Sequence, residues 1–350
     1  MHLINRIFKN FYMELKKIFL LPSPVLQPLA SLFPFNNDKI YDIKLNIGKC
    51  INGTVKIKPI REGTSGTLKY YIKTKDSQCF FLRFSDKRTM RTPIEIEFEN
   101  IKIIETKGIL VPEPIEIGKF NQYSFMLLKW IDGIVLSSVL KHASEAKSYE
   151  FGIKAGKTLM AIHTISLPDT GPFLNNDFYY DANAKIDLYH SSPNKISDDD
   201  AVFINYIKKN RNLIGDRPKC LLHGDYKAGN IMLLNHNMVL IDFECAHCGD
   251  PWSDFNFILR NAYQSPFFAV GILHGYFCGQ PPENFWNLAV YYLSLSALNA
   301  KVRGAGNTKV RQNLILSMKT RVLHEFNYMK SSIPNWYGAV NDKIMNEDFC

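Results

Sequence analysis

Three oxygen-bearing side chains stand out by type and spacing: Asp225, Asn230 five residues on, and Asp242 twelve residues after that. The first two lie in Leu221-Leu222-His223-Gly224-Asp225-Tyr226-Lys227-Ala228-Gly229-Asn230-Ile231-Met232, and the third in Val239-Leu240-Ile241-Asp242-Phe243-Glu244. The apolar run ending at Leu222 predicts a strand, after which a tight loop presents Asp225 and Asn230. A hairpin then returns Asp242 at the end of another apolar strand. Short oxygen ligands on loops between strands can converge on one point. A carboxylate beside a hydroxyl accepts its proton, while an Asn with an Asp supplies hard oxygen ligands for Mg2+. These are the parts needed for phosphoryl transfer, where catalysis is positioning plus neutralisation of charge.

Such loops need a scaffold, and hydrophobic periodicity outlines one. Period-two patterns predict strands at 55–60, 68–72 and 79–84, with Lys75-Asp76-Ser77-Gln78 as a turn. A helix follows over 95–106, opened by Thr92-Pro93 and closed by Gly108. Val111-Pro112-Glu113-Pro114 leads into a strand pair running through Phe125-Met126-Leu127-Leu128, and Trp130-Ile131-Asp132-Gly133 reads as a connector. Beyond it helical periodicity dominates, at about 134–166, 198–213, 253–264, 282–303 and 308–331. The stretch from Cys220 to Glu244 is a β-rich island within it. The Pro/Asn/Asp-rich segment 167–197, with Tyr179 and Tyr180, reads as a long loop of the kind that builds a substrate wall. The organisation expected is an extension over 1–38, a β-rich lobe over 39–130, a larger helical lobe over 131–340, and a tail over 341–350.

Composition narrows the class. The 350 residues are 46% apolar and 21% charged, which allows a sizeable core and excludes a disordered, collagenous or disulfide-framed chain. Seven scattered cysteines, an odd number in a long chain, point to a reduced, cytoplasmic protein. No apolar run reaches the ~18 residues of a spanning helix. With 42 Lys+Arg against 33 Asp+Glu the net charge is +9. Nucleic-acid binding wants a basic stripe with interleaved aromatics, whereas these lysines are spread along the chain, so no nucleic-acid partner is expected. In the extension, Leu3, Ile4, Ile7, Phe8, Phe11, Leu15, Ile18 and Phe19 recur at helical spacing opposite Arg6, Lys9, Lys16 and Lys17. Residues 1–20 are therefore either a helix docked on the protein or an interfacial helix in peripheral contact with a membrane.

The string His223-Gly224-Asp225-x4-Asn230 with Ile241-Asp242-Phe243-Glu244 resembles the aminoglycoside phosphotransferase and choline kinase-like family. Members are relatives of protein kinases, which carry His-Arg-Asp-x4-Asn and Asp-Phe-Gly at the matching places. The run Gly249-Asp250-Pro251-Trp252-Ser253-Asp254 is similar to the family's Gly-Asp-Pro-x-x-Asp. Ser265-Pro266-Phe267, Gly275-Tyr276-Phe277 and Trp336-Tyr337 resemble a bacterial branch of it. The resemblance covers about 40–340. It implies an α+β, bilobal protein-kinase-like fold with ATP and Mg2+ bound between lobes and a small-molecule hydroxyl acceptor in the helical lobe. Asp225 becomes the catalytic aspartate, Asn230 and Asp242 the Mg2+ ligands, and His223 a brace of the loop. Asp250 and Asp254 read as caps of the helix starting near 253.

The resemblance also asks the β-rich lobe for a nucleotide clamp. Gly63, Thr64, Ser65 and Gly66, between two strands, suit a phosphate-covering loop, since glycines permit close backbone approach and hydroxyls add donors. Arg83 stands where kinases place a Lys facing the α/β-phosphates, a departure that changes a point charge into a fork. Its helix partner is read as Glu97, with Glu95 and Glu99 solvated. The backbone of Leu128-Lys129-Trp130 is the hinge that would pair with adenine. Lys227 is placed either near the transferring phosphate or in solvent. Cys245-Ala246-His247-Cys248 has zinc-like spacing but lacks a second pair to close a four-ligand site.

For the acceptor, an aminoglycoside wants acidic residues, for which Asp177, Asp181, Asp187 and Asp198 to Asp200 are candidates. A quaternary ammonium wants aromatics such as Tyr179, Tyr180, Trp252 and Trp286. Two other functions stay open: a nucleotide-binding scaffold with little catalysis, and a membrane-associated kinase acting on a lipid headgroup or a protein.

Overall fold

The computed structural model describes residues 53–60, 67–85, 93–120, 123–165, 167, 182–191, 200–303 and 309–346. The extension, the loop residues Gly63 to Gly66, Tyr179 and Tyr180, and the last residues of the tail lie outside them. The described residues fall into two compact units, one within Met1–Asp86 and Gly118–Leu127, the other within Lys87–Ile117 and Leu128–Cys350.

In the first unit β1 (Thr54–Ile60), β2 (Leu68–Thr74) and β3 (Cys79–Ser85) pair antiparallel in sequence order. The turn expected between β2 and β3 is present, with Ser77 at φ 64° and the Ser77 N–H bonded to the Thr74 carbonyl at 3.1 Å. Tyr70, Ile72, Phe80, Leu82 and Phe84 alternate onto one face and are buried. The Tyr70 and Phe84 rings meet edge to face at 6.1 Å, an arrangement worth about 0.5–1.5 kcal/mol beyond the area buried.

The second unit opens with α1 (Ile94–Thr106). Ile94, Phe98, Ile101 and Ile104 recur at helical spacing and form its buried stripe. Gly108, at φ +75°, ends it with its N–H on the Glu105 carbonyl at 2.9 Å. Strands β4 (Pro114–Phe120) and β5 (Tyr123–Lys129) carry the chain between the units and complete a sheet of order β1-β2-β3-β5-β4.

The helix expected over 134–166 is divided. Ile134–Val135 is strand β6, Leu136–Val139 a single turn, α2, and Glu145–His163 the long helix α3. β-Branched Ile134 and Val135 suit strand pairing, and Ser144 restarts the helix by accepting the Lys147 N–H at 3.2 Å. Helix α4 (Ala182–Ser191) lies in the stretch expected to be a loop, and α5 (Asp200–Lys209) follows.

The β-rich island contains β7 (Cys220–Leu222), β8 (Ile231–Leu234) and β9 (Asn237–Leu240), and β10 (His247–Gly249) returns to pair with β7. Strands β6, β8 and β9 form one small sheet. The remainder is helical: α6 (Ile258–Gln264), α7 (Pro266–Phe277), α8 (Glu283–Arg303), α9 (Lys309–Glu325) and α10 (Asn335–Asn346).

Helix α7 was not expected from the sequence. Pro266 occupies its first position, where the missing N–H costs nothing, and Ser265 caps it by accepting the Phe268 N–H at 3.3 Å. It is apolar on every side and therefore lacks an amphipathic stripe. It packs on α3 backbone to backbone through Gly152, Gly156, Gly271 and Gly275. A Cβ on Gly156 would lie 2.1 Å from the Ile272 carbonyl oxygen.

Candidate active site

The second unit brings the sequence-selected Asp225, Asn230 and Asp242 into one loop cluster. Strand β7 ends at Leu222, and Gly224 turns the chain at φ 75°, so close to its neighbour that a Cβ would fall 2.1 Å from the Cys245 carbonyl oxygen. Strands β8 and β9 are joined by Asn235 and His236, both at positive φ, which is the backbone of a tight two-residue hairpin turn. The hairpin delivers Asp242 in the left-handed region, at φ 67° and ψ 64°. The Ile241 N–H donates to the Asn230 carbonyl at 3.0 Å and holds the two loops together.

Within the cluster the Asn230 amide nitrogen donates both to the Asp225 carbonyl oxygen and to Asp225 Oδ2, each at 2.9 Å. The Lys227 ammonium pairs with the same Oδ2 and lies over the Phe257 ring, 5.4 Å from its centroid. Asp225 Oδ1 is buried without a hydrogen-bond partner. An orphaned buried acceptor asks for a reason, and a donor arriving with a substrate supplies one. With its nitrogen committed, Asn230 keeps its side-chain oxygen as a free acceptor, and the Asp242 carboxylate makes no hydrogen bond among the described residues. An amide oxygen and a carboxylate, each without a hydrogen bond and carried on loops joined by the Ile241–Asn230 backbone bond, are the donor types that suit a hard divalent cation such as Mg2+.

His223 is a brace. Its Nδ1 accepts the Asp225 N–H at 3.3 Å, which leaves Nε2–H to donate to the Ile241 carbonyl at 3.2 Å. The ring also packs on Phe243, 4.7 Å between centroids. It therefore ties the Asp225 loop to the segment that carries Asp242.

Asp254 differs from its expected role. Asp250 does cap the turn that follows it, accepting the Trp252 N–H at 2.9 Å. Asp254 instead points back at the loop and accepts the N–H groups of His223 and Gly224, at 2.7 and 2.6 Å. His163 donates to it through Nε2 at 3.1 Å and meets the Tyr276 hydroxyl through Nδ1 at 2.8 Å. Burial alone would raise the Asp254 pKa. The hydrogen bond and charge of His163, with His223 beside it, hold the carboxyl below its ordinary value.

Two further anchors escaped the sequence reading. The buried Tyr226 hydroxyl donates to the Ala155 carbonyl at 2.6 Å, and Asn261 accepts the Ala228 N–H at 3.0 Å. His163, Ala155 and Asn261 lie far from the motif in sequence, and no local signal marks them.

The nucleotide-clamp residues are placed as follows. Arg83 is buried at 2% exposure in β3 of the first unit. Glu97 is buried at 1% on α1, whereas Glu95 and Glu99 are exposed and Glu99 pairs with Lys102 at 2.9 Å. Leu128 is buried and Trp130 half-buried. The Lys129 N–H is bonded to the Glu113 carbonyl at 2.9 Å, so that amide is not the hinge group left to pair with a base. Gly63, Thr64, Ser65 and Gly66 lie outside the described residues.

Acceptor candidates narrow too. The Arg217 guanidinium covers the Trp252 ring at 4.0 Å while binding Asp250 at 2.7 and 3.1 Å, and Trp286 is buried against Tyr337. These two rings are committed to the protein itself. Asp200 is buried against Lys319 and Tyr189, and Asp187 is exposed. His247 and Cys248 are successive residues of β10 and so point to opposite faces.

The sequence model of the phosphotransferase enzyme family matches residues 56–286, about two thirds of the chain. The chain belongs to this family, and its fold is the family's α+β kinase-like one. No curated protein matches it by sequence.

Among solved structures, a choline/ethanolamine kinase family protein from Mesorhizobium loti aligns with a TM-score of 0.62 at 13% identity, over 85% of this chain and 97% of that one. An amicoumacin kinase in complex with AMP-PNP, Ca2+ and Ami aligns with 0.59 at 11%, over 89% and 99%. An aminoglycoside phosphotransferase in complex with ADP and hygromycin B aligns with 0.59 at 14%, over 82% and 98%. At these identities the likeness is one of fold. Among the described residues no helix is long and apolar enough to cross a membrane.

Proposed function

We propose that the protein transfers the γ-phosphoryl group of ATP to a hydroxyl of a small molecule of the aminoglycoside or amino-alcohol class. The observation that carries this reading is the state of Asp225. One carboxylate oxygen is fixed by Asn230 and Lys227, and the other is buried and unpartnered. Asp225 Oδ1 accepts the proton of the acceptor hydroxyl as the hydroxyl oxygen bonds to the γ-phosphorus, and the β–γ bridging oxygen leaves with ADP.

Asn230 Oδ1 and the Asp242 carboxylate are the ligands for Mg2+, which neutralises phosphate charge when bound. His223 and Asp254 hold the loop still while this happens. Arg83, Gly63, Thr64, Ser65 and Gly66 serve the nucleotide phosphates. Leu128 and Trp130 flank the base. The acceptor class rests on the family and on the ligands bound by structures of like fold, and the protein is read as cytoplasmic.

Purified protein with Mg·ATP, screened against aminoglycosides and amino alcohols, should release ADP in the presence of one class and yield a phosphorylated product by mass spectrometry. Asp225→Asn should abolish the product. ADP release that no member of either class stimulates contradicts the proposal.

A further inference from the structure

Lys227 belongs to the loop that carries Asp225, and its surroundings are not those of a surface lysine. Its side chain is 18% exposed. The stem folds back over Gly229, where an added Cβ would meet Lys227 Cε at 3.8 Å. The ammonium lies between Asp225 Oδ2 and the face of the Phe257 ring, 5.4 Å from its centroid. Among the described residues it meets no other carboxylate.

A buried ammonium carries a desolvation cost, and an ion pair between residues two apart ties the loop to no second element. His223, Tyr226, Asn230, Asp254 and Asn261 already hold that loop. Bracing therefore does not account for the charge. Two donors converge on Asp225 Oδ2, the Lys227 ammonium and the Asn230 amide nitrogen, and the oxygen of that same amide is the group read as a metal ligand. A phosphoryl group held by the metal, and approached by a hydroxyl on Asp225 Oδ1, comes next to an ionised carboxylate. The two anions repel, most strongly where water is excluded. An ammonium already seated on the carboxylate offsets the repulsion, and Oδ2 uses one of its three N–H donors.

We infer that Lys227 is a catalytic residue that binds the γ-phosphoryl group through its ammonium while it stays beside Asp225. The inference rests on the phosphotransfer reading and adds a contact to it. The acceptor oxygen bonds to phosphorus, and the bridging oxygen leaves with its electron pair on ADP. The hydroxyl proton passes to Asp225 Oδ1, and Lys227 keeps its own protons throughout. A fixed cation on the equatorial oxygens lowers the barrier by electrostatic preorganisation. ADP lacks the group that Lys227 holds, so this lysine sets how far the protein prefers a triphosphate to a diphosphate.

The test is titration calorimetry of the full chain with Mg2+ and either the non-hydrolysable analogue AMP-PNP or ADP, beside acceptor-dependent turnover of ATP. Wild type, Lys227→Met and Lys227→Arg are compared. Lys227→Met should bind AMP-PNP about tenfold more weakly, through loss of one charge-assisted bond to phosphate, and bind ADP as wild type does. The unchanged ADP affinity shows that the variant is folded. Its kcat should fall on the order of 100-fold. Lys227→Arg keeps the charge and should restore the triphosphate preference. The inference is overturned if Lys227→Met retains that preference or the wild-type kcat, or if it weakens both nucleotides alike, as a mere brace of the loop would. Wild type that binds and turns over normally beside such a variant leaves the phosphotransfer reading standing. Wild type that binds neither nucleotide overturns that reading and the inference with it.

Discussion

Asp254→Asn should be among the most damaging conservative changes in the second unit. The carboxylate is 3% exposed and accepts from His223 N, Gly224 N and His163 Nε2. Each hydrogen bond to a charged group is worth about 1.5–3 kcal/mol. Asparagine keeps one acceptor oxygen and turns an NH2 group toward a donor, so at least one backbone N–H is stranded and the His163 interaction loses its charge. With one such bond lost outright and two others weakened, we expect a loss of about 3–5 kcal/mol. At about 2–4 °C per kcal/mol for a domain this large, the melting temperature should fall by roughly 10 °C.

The change should also reach the chemistry, because the freed N–H groups belong to the loop that aims Asp225. Misplacement by about 1 Å costs on the order of 100-fold in rate, so turnover should drop by at least that much at saturating nucleotide. Urea denaturation and acceptor-dependent ADP release measure the two effects. A variant within ~1 kcal/mol of wild type and with normal turnover would refute the assignment of Asp254 as the loop's anchor.

Two further predictions concern the helices behind the loop. Gly156→Ala places a Cβ 2.1 Å from the Ile272 carbonyl oxygen and forces α3 and α7 apart. Although alanine is the better helix former by about 1 kcal/mol, the variant should lose about 1–3 kcal/mol in denaturant unfolding. His274, buried between the Tyr149 and Tyr337 hydroxyls, has its pKa lowered from 6.5 chiefly by burial. The unfolded chain therefore takes up a proton first as the pH falls. The stability His274 contributes is complete above pH 6.5 and declines below it, through the folded pKa. His274→Gln should remove that slope from a stability–pH series, and an unchanged slope would locate the titrating group elsewhere.

What the sequence displayed follows physical range. The strands of the first unit and the 220–242 hairpin were legible because period-two alternation and turn residues are local signals. Asp225, Asn230 and Asp242 were legible because one short loop and one hairpin carry all three. The helix boundaries were less so. Ser144 restarts a helix across which apolar periodicity runs unbroken, and Pro266 opens one between the helices that periodicity marks at 253–264 and 282–303. Helix α7 is buried on all sides, so no stripe announces it.

The partners of the loop were invisible for another reason. His163 and Asn261 act across long separations, and a polar residue in a helix shows nothing of whom it meets. Asp254 looked like a cap because a cap is the local option for an aspartate at a helix start.

The central claim is a metal–nucleotide site built on Asn230 and Asp242. Its most direct test is the thermal stability of wild type and Asp242→Ala with and without Mg·ATP. Selective binding to the folded state at ~100 times Kd adds about 2.7 kcal/mol, which is a shift of several degrees. The account predicts that shift in wild type and its loss in Asp242→Ala. An equal shift in both proteins would contradict the metal assignment, and none in either would contradict the nucleotide site itself.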